Sequence, residues 1–175
     1  MTLRPFFEWM DALESSIVMR ESLNAYPIFL TVHVLSMCLF GGLIAFWDLR
    51  LVGLTLKEAR VSDVRKRVFP WLYTGFAISA ITGLLLFYSQ PMRYFGNFYF
   101  WIKFGMFILA GVNILVFDLT IFKSVAKWDR DAVAPRSARL AGFASLVLWA
   151  GTVVTGRLIA YSGLVPQWWK DLGLS

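Results

Sequence analysis

Polar and apolar positions in this chain do not alternate; they fall into blocks. Residues 25–47 carry no formal charge and are interrupted only by His33, and residues 68–89 hold no ionisable group except tyrosines. Residues 98–117 contain one Lys103, and residues 140–165 contain one Arg157. About 20 residues rising 1.5 Å each cross a 30 Å hydrocarbon core, so each block predicts a transmembrane helix. Outer-membrane strands alternate polar and apolar residues over about 10 positions, and these blocks do not. A water-soluble bundle with four such helices needs a larger polar shell than this chain supplies. The pattern therefore predicts an all-α, integral membrane four-helix bundle.

The segments between the blocks differ in charge. Residues 50–67 carry Arg50, Lys57, Arg60, Arg65, Lys66 and Arg67, and residues 123–139 carry Lys123, Lys127, Arg130, Arg136 and Arg139. Residues 90–97 have only Arg93. Lys and Arg are retained on the cytoplasmic side, so the first and third connections face the cytoplasm. Both termini and residues 90–97 then face the periplasm, and the expected location is a bacterial inner (cytoplasmic) membrane, crossed several times.

The terminal segments are of another kind. Residues 1–22 include Glu8, Asp11, Glu14 and Glu21 and lack the unbroken apolar core of a signal peptide. Leu3, Phe6, Phe7, Met10, Leu13 and Ile17 recur at helical spacing, which predicts an amphipathic helix on the outer interface, with Phe and Trp9 in the headgroups. Residues 23–165 are the bundle, entered at Asn24 and Pro27. Residues 166–175 form a periplasmic tail whose Trp168 and Trp169 suit the interfacial aromatic belt.

Composition narrows the classes further. Of the residues 58% are hydrophobic and 16% charged, and the mean hydropathy is +0.64, which excludes a disordered tail, a collagen-like fibre and a disulfide scaffold. The one cysteine, Cys38, cannot close an intrachain disulfide. The net charge of +6 is concentrated in the two basic connections, so it reads as a topology signal with anionic lipid as partner and argues against nucleic acid.

Ionisable groups inside spans are costly and mark candidate sites. With the expected boundaries, His33, Lys103 and Arg157 each lie about six or seven residues, or about 10 Å, below the outer face, and Thr82 falls near the same level. Helical spacing extends these points into stripes: His33, Met37, Gly41, Ile44 and Asp48; Lys103, Met106, Ala110, Asn113 and Phe117; and Ser145, Trp149, Thr152 and Gly156 beside Arg157. At the inner end, Asp48, Arg50 and Asp118 suggest a charge cluster. One imidazole and two cations at one depth match haem b, with His33 on the iron and Lys103 and Arg157 against the propionates. Met37 shares a face with His33 and cannot take the opposite axial position, whereas Met106 is freer; five-coordinate iron is equally allowed. One histidine excludes bis-histidine ligation within one chain. Simpler roles exist for the same residues: a hydrogen-bonded interhelical His33, Lys103 and Arg157 snorkelling to headgroups, methionines packing, and Asn113 joining helices. Phosphate-binding glycine loops, clustered zinc spacings and hydrolytic triads are missing.

The segment HVLSMCLFGGLIAFWDLRLVG at residues 33–53, followed by FWIKFGMFILAGVN around Lys103 and GRLIAY at residues 156–161, resembles a broad group of small four-helix membrane proteins. It is similar to the haem-dependent membrane protoporphyrinogen oxidase family and to the membrane domain of copper-resistance D proteins. The resemblance implies His33 as haem ligand, Lys103 as a pocket residue, and Arg50 as the arginine that closes the first span. Further histidines of the oxidase family and the periplasmic Met/His ligands of the copper-resistance proteins are not found in this chain. The leading expectation is a haem b-binding membrane redox protein near the periplasmic side, with porphyrinogen- or quinone-linked electron transfer. The candidate cofactor residues are His33, Lys103, Arg157, Met106 and Asn113, the metal ligand is His33, and no catalytic residue is named. A copper-handling protein and a structural subunit of a larger membrane complex are the alternatives. Partners left open are a quinone or porphyrin and a homo-oligomer.

Overall fold

The computed structural model describes residues 3–161 and 165–171. Among them there are helices and no strands: α1 (Arg4–Asp11), α2 (Glu14–Glu21), α3 (Ala25–Val52), α4 (Val61–Ser89), α5 (Pro91–Phe95), α6 (Phe98–Val116), α7 (Arg136–Leu158) and α8 (Gln167–Asp171). Beyond Val116, α6 widens into a π-helical turn, Phe117–Ile121, and tightens into a 3₁₀ segment, Phe122–Lys127. Four helices are long and apolar enough to cross a membrane. Only 11–28% of the residues in their most apolar stretches are buried inside the protein, so most of that surface needs an apolar surrounding. The chain is a multi-pass membrane protein.

Local chemistry explains where the spans stop. α3 ends at Gly53, whose φ of +88° suits a residue without Cβ. Leu54 N–H donates to Leu49 O at 2.9 Å and Gly53 N–H to Arg50 O at 3.2 Å, closing the end in a Schellman motif. α6 starts at Asn97, whose Oδ1 accepts from Tyr99 N–H at 2.9 Å while its Nδ2 donates to Ile159 O at 3.2 Å. One buried side chain thus caps α6 and fixes the end of α7.

α3 packs against α4 and α7, and α7 packs against α6. Gly75 on α4 lets the Phe40 backbone approach; a Cβ there would lie 3.2 Å from Phe40 N. Gly142 on α7 does the same for Leu51 and for Asp48 O. Aromatic stacks fill the space between α4 and α6: Phe76 on Phe107 at 5.8 Å and Phe87 on Phe100 at 5.5 Å. The densest core lies toward the end that carries the basic connections, around Trp47, Leu51, Val61, Val64, Leu72 and Trp128.

The basic end is tied together by buried polar contacts. Arg50, fully buried, donates to Ala59 O at 2.9 Å and Asp131 O at 3.1 Å, so it joins the two basic connections. Asp48 does not join it in a charge cluster, and Asp118 pairs with Arg65 instead, at 2.6 Å and 2.9 Å.

Residues 4–21 form two helices where one amphipathic helix was expected. Phe7 and Ser16 are both buried against the bundle, yet nine residues apart they would point to opposite sides of a continuous helix. Leu13, extended at ψ 132°, resets the phase. Phe7 then packs on Phe95 at 4.7 Å, and Ser16 Oγ donates to Tyr88 O at 2.9 Å. Leu3, Phe6 and Trp9 remain exposed on the other side. In α8, Trp169 Nε1 donates to Gly96 O at 3.0 Å and its ring meets Phe98, so this indole belongs to the cap at the end opposite the basic connections.

Candidate functional site

Contacts between helices fix the levels. Asn97 on α6 lies beside Ile159 on α7, Met106 beside Gly151, and Asn113 beside Ala141. On α3, Phe40 meets Trp149 and Leu51 meets Gly142. This antiparallel register brings His33 to the level of Gly156. Lys103, whose Cα is deeper, reaches back toward the start of its helix, as helical side chains do, and its Nζ meets Gly156. A Cβ on Gly156 would lie 3.3 Å from Lys103 Nζ, and one on Gly83 would lie 3.0 Å from His33 Cε1. Two glycines on two helices make room for the two basic side chains.

The orientation of His33 is set by hydrogen bonding. Its Nδ1 lies 2.9 Å from Ser79 O, which can only accept. It also lies 3.1 Å from Thr82 Oγ1, whose own proton is given to Ile78 O at 2.7 Å. Both neighbours accept, so Nδ1 carries a hydrogen, and in the neutral ring Nε2 keeps its lone pair. A ring held this way is suited to bind a metal or accept a proton at Nε2. Lys103 is half-buried, close enough to His33 to interact electrostatically, and has no carboxylate partner among the described residues. An ammonium without a counter-ion between spans is suited to an anionic group from elsewhere.

The remaining candidates go to other places. Arg157 follows Gly156 and so lies near the His33 level, but its side chain is exposed, and α7 ends one residue later at Leu158 rather than near residue 163. The guanidinium does not join His33 and Lys103 but turns to Tyr161 OH at 3.2 Å. Residues 162–164, where the fourth span was expected to finish, lie outside the described residues. Met106 is one to two turns below the His33 level and places its sulfur against Gly151. Asn113 Nδ2 donates to Ala141 O at 3.0 Å and joins α6 to α7. Cys38 is exposed, and no group of three or more His, Cys, Asp or Glu able to hold a metal ion occurs among the described residues.

Sequence reasoning missed two contributors. The Ser79 carbonyl that orients His33 is backbone and leaves no sequence signal. Trp149 is visible only as a member of a stripe, yet its indole N–H is buried without an acceptor, between Phe40 at 4.6 Å and Phe107 at 6.0 Å. The layer therefore offers one acceptor nitrogen at His33 and a cation at Lys103, with an unsatisfied indole donor about 10 Å further in, seven residues along α7 from Gly156. As a donor set this fits haem b, which needs a neutral imidazole and benefits from a cation near its carboxylates.

Residues 6–162 match the model of a family described as a family of unknown function, DUF6644, and the chain belongs to that family. No curated protein and no solved structure matches it.

Proposed function

We propose that this member of DUF6644 is a haem b-binding redox protein of the bacterial inner membrane, with its basic end in the cytoplasm and its site near the periplasmic face. The observation that carries the reading is the His33 ring: its Nδ1–H is committed to Ser79 O, and its Nε2 is left as the ligating nitrogen. Lys103 neutralises an anionic substituent beside it, and Gly156 leaves the space for that approach. Ser79 and Thr82 hold one tautomer and one ring orientation. Aromatic stacks between α4 and α6 flank this layer, Phe87 on Phe100 on its outer side and Phe76 on Phe107 on its inner side. A haem bound here supplies one-electron chemistry, to a lipophilic porphyrinogen or quinone arriving through the bilayer.

The test is an optical spectrum of the detergent-purified protein, oxidised and reduced, from cells supplied with a haem precursor. The expected result is a Soret band that His33→Ala abolishes and Lys103→Met weakens. A folded preparation without porphyrin overturns the reading, as does a Soret band unchanged by His33→Ala.

A further inference from the structure

A second polar site lies toward the basic end, independent of His33. A partly open cavity of about 40 Å³ lies between α3, α4, α6 and α7. Its walls are apolar, with Trp47, Phe69 and Phe117 prominent, but Asp48, Asn113 and Ser145 line it from three helices. Asp48 is only 2% exposed, and its Oδ2 has no hydrogen-bond partner. The Ser145 hydroxyl is beside the carboxyl. Asn113 Nδ2 gives one hydrogen to Ala141 O, so the amide keeps its second N–H and its oxygen for further bonds.

Among the described residues no cation pairs with Asp48. Arg50, two residues on, turns toward the connections: its Nε and Nη2 donate to Ala59 O and Asp131 O, its Nη1 is left without a partner, and the carboxylate it interacts with is Asp129. On α4, Arg65 is held by both oxygens of Asp118, and Tyr73 lines the cavity wall. From α6, Asp118 adds a second carboxylate to the same cavity, and α7 contributes only the neutral Ser145. An ionised carboxylate buried without a counter-ion is costly, whereas a carboxylic acid needs one acceptor for its hydrogen. The cavity has room for about three to four waters, at about 10–15 Å³ of such space per water.

A surface groove lies next to the cavity. Nearer the basic end, this open groove of about 450 Å³ is lined by Ser62, Arg65, Lys66, Phe69, Pro70, Tyr73, Phe122 and Val125. Phe69 and Tyr73 line both the groove and the cavity, so the two spaces are neighbours across these side chains.

We propose that Asp48 is an exchangeable proton-binding site, with Ser145 and Asn113 holding the water that carries the proton between the carboxyl and the groove at the basic end. Release breaks the carboxyl O–H bond, leaves its electron pair on Asp48 and passes the proton to a cavity water; uptake is the reverse.

Infrared spectroscopy of the full chain in detergent tests this without reference to haem. The expected result at neutral pH is the carbonyl stretch of a protonated carboxylic acid, absent in Asp48→Asn and shifted down within minutes of transfer to D₂O. Ser145→Ala shifts the same band by removing a hydrogen-bonding neighbour, which assigns it even if Asp48→Asn does not fold. Ser145→Val fills the cavity and slows the D₂O shift severalfold. No protonated carboxyl band in folded protein overturns the proposal. So does a band that resists D₂O for hours, which marks a sealed structural group. A band removed by sodium at constant pH also overturns it, because the occupant is then a metal cation.

Discussion

Arg65 on α4 grips Asp118 of the π-helical turn with both terminal nitrogens, at 2.6 Å and 2.9 Å, while its guanidinium lies over Phe69 at 4.3 Å and Phe122 at 4.0 Å. The widened turn brings Asp118 round to face α4, a helix with which α6 otherwise shares mainly aromatic contacts. The pair is therefore the main polar link across that side of the bundle.

Asp118→Ala leaves the guanidinium partly buried without its acceptor. We expect a loss of about 1–3 kcal/mol, below the usual cost of breaking a fully buried pair because the carboxylate is about one-third exposed. Arg65→Lys loses the fork and the stacking and is expected to cost nearly as much. Equilibrium unfolding in mixed micelles, run as a double-mutant cycle, measures both; additive losses at the two positions would show that the pair is not coupled.

Glycines separate into two kinds. Gly75→Ala places a Cβ against the Phe40 backbone, which cannot move aside, and should destabilise by about 1–3 kcal/mol. Gly105→Ala meets nothing within 4 Å and should leave stability unchanged or slightly raised. Thermal melts of the two variants side by side check this contrast.

Gly83→Ala acts on the candidate site alone. The added carbon meets the His33 ring edge at 3.0 Å and turns the imidazole. The expected outcome is a folded protein with weakened porphyrin binding, while Arg157→Met, changed on the exposed surface, binds like the wild type. Haem titration of detergent-purified apoprotein, followed at the Soret band, distinguishes the two.

Asp129 caps α4 from a distant connection: its carboxylate accepts Ser62 N–H and Ser62 Oγ–H, each at 2.7 Å. Slight burial opposes ionisation, but the two Ser62 bonds and the nearby Arg60 and Arg50 outweigh it and hold the carboxyl below its ordinary range. A lowered carboxyl contributes stability that is fully present above the unfolded value of about 3.9 and is lost as pH falls through the folded value. We expect wild-type stability to decline below about pH 4, and Asp129→Asn to flatten that decline by about 0.5–1 kcal/mol, a modest figure because water screens the site. Melting temperatures between acid and neutral pH read it directly; identical slopes would remove the cap from the account.

The four spans were legible from the chain, because hydrophobic length is a one-dimensional property that a bilayer reads without help from neighbouring helices. His33 and Lys103 were legible as candidates for the same reason: a polar group in an apolar run is visible by contrast. The break in residues 4–21 was not, since amphipathic spacing does not reveal that Phe7 and Ser16 both turn inward. Nor was the cap by Asp129, which acts on a helix beginning 68 positions earlier in the chain.

By itself the sequence determined the helices and the uneven charge of their connections, both set by the local free energy of transferring side chains from water to hydrocarbon. Tertiary structure decided which polar groups meet. Asn97 catches Ile159 at the end of α7, and Arg157 is exposed while His33 and Lys103 come close to each other. Asp48 and Ser145, 97 residues apart, share a cavity because Gly142 lets two helices approach closely. Such meetings depend on where helices stop and how near their backbones come, and spacing along one strand of chain encodes neither.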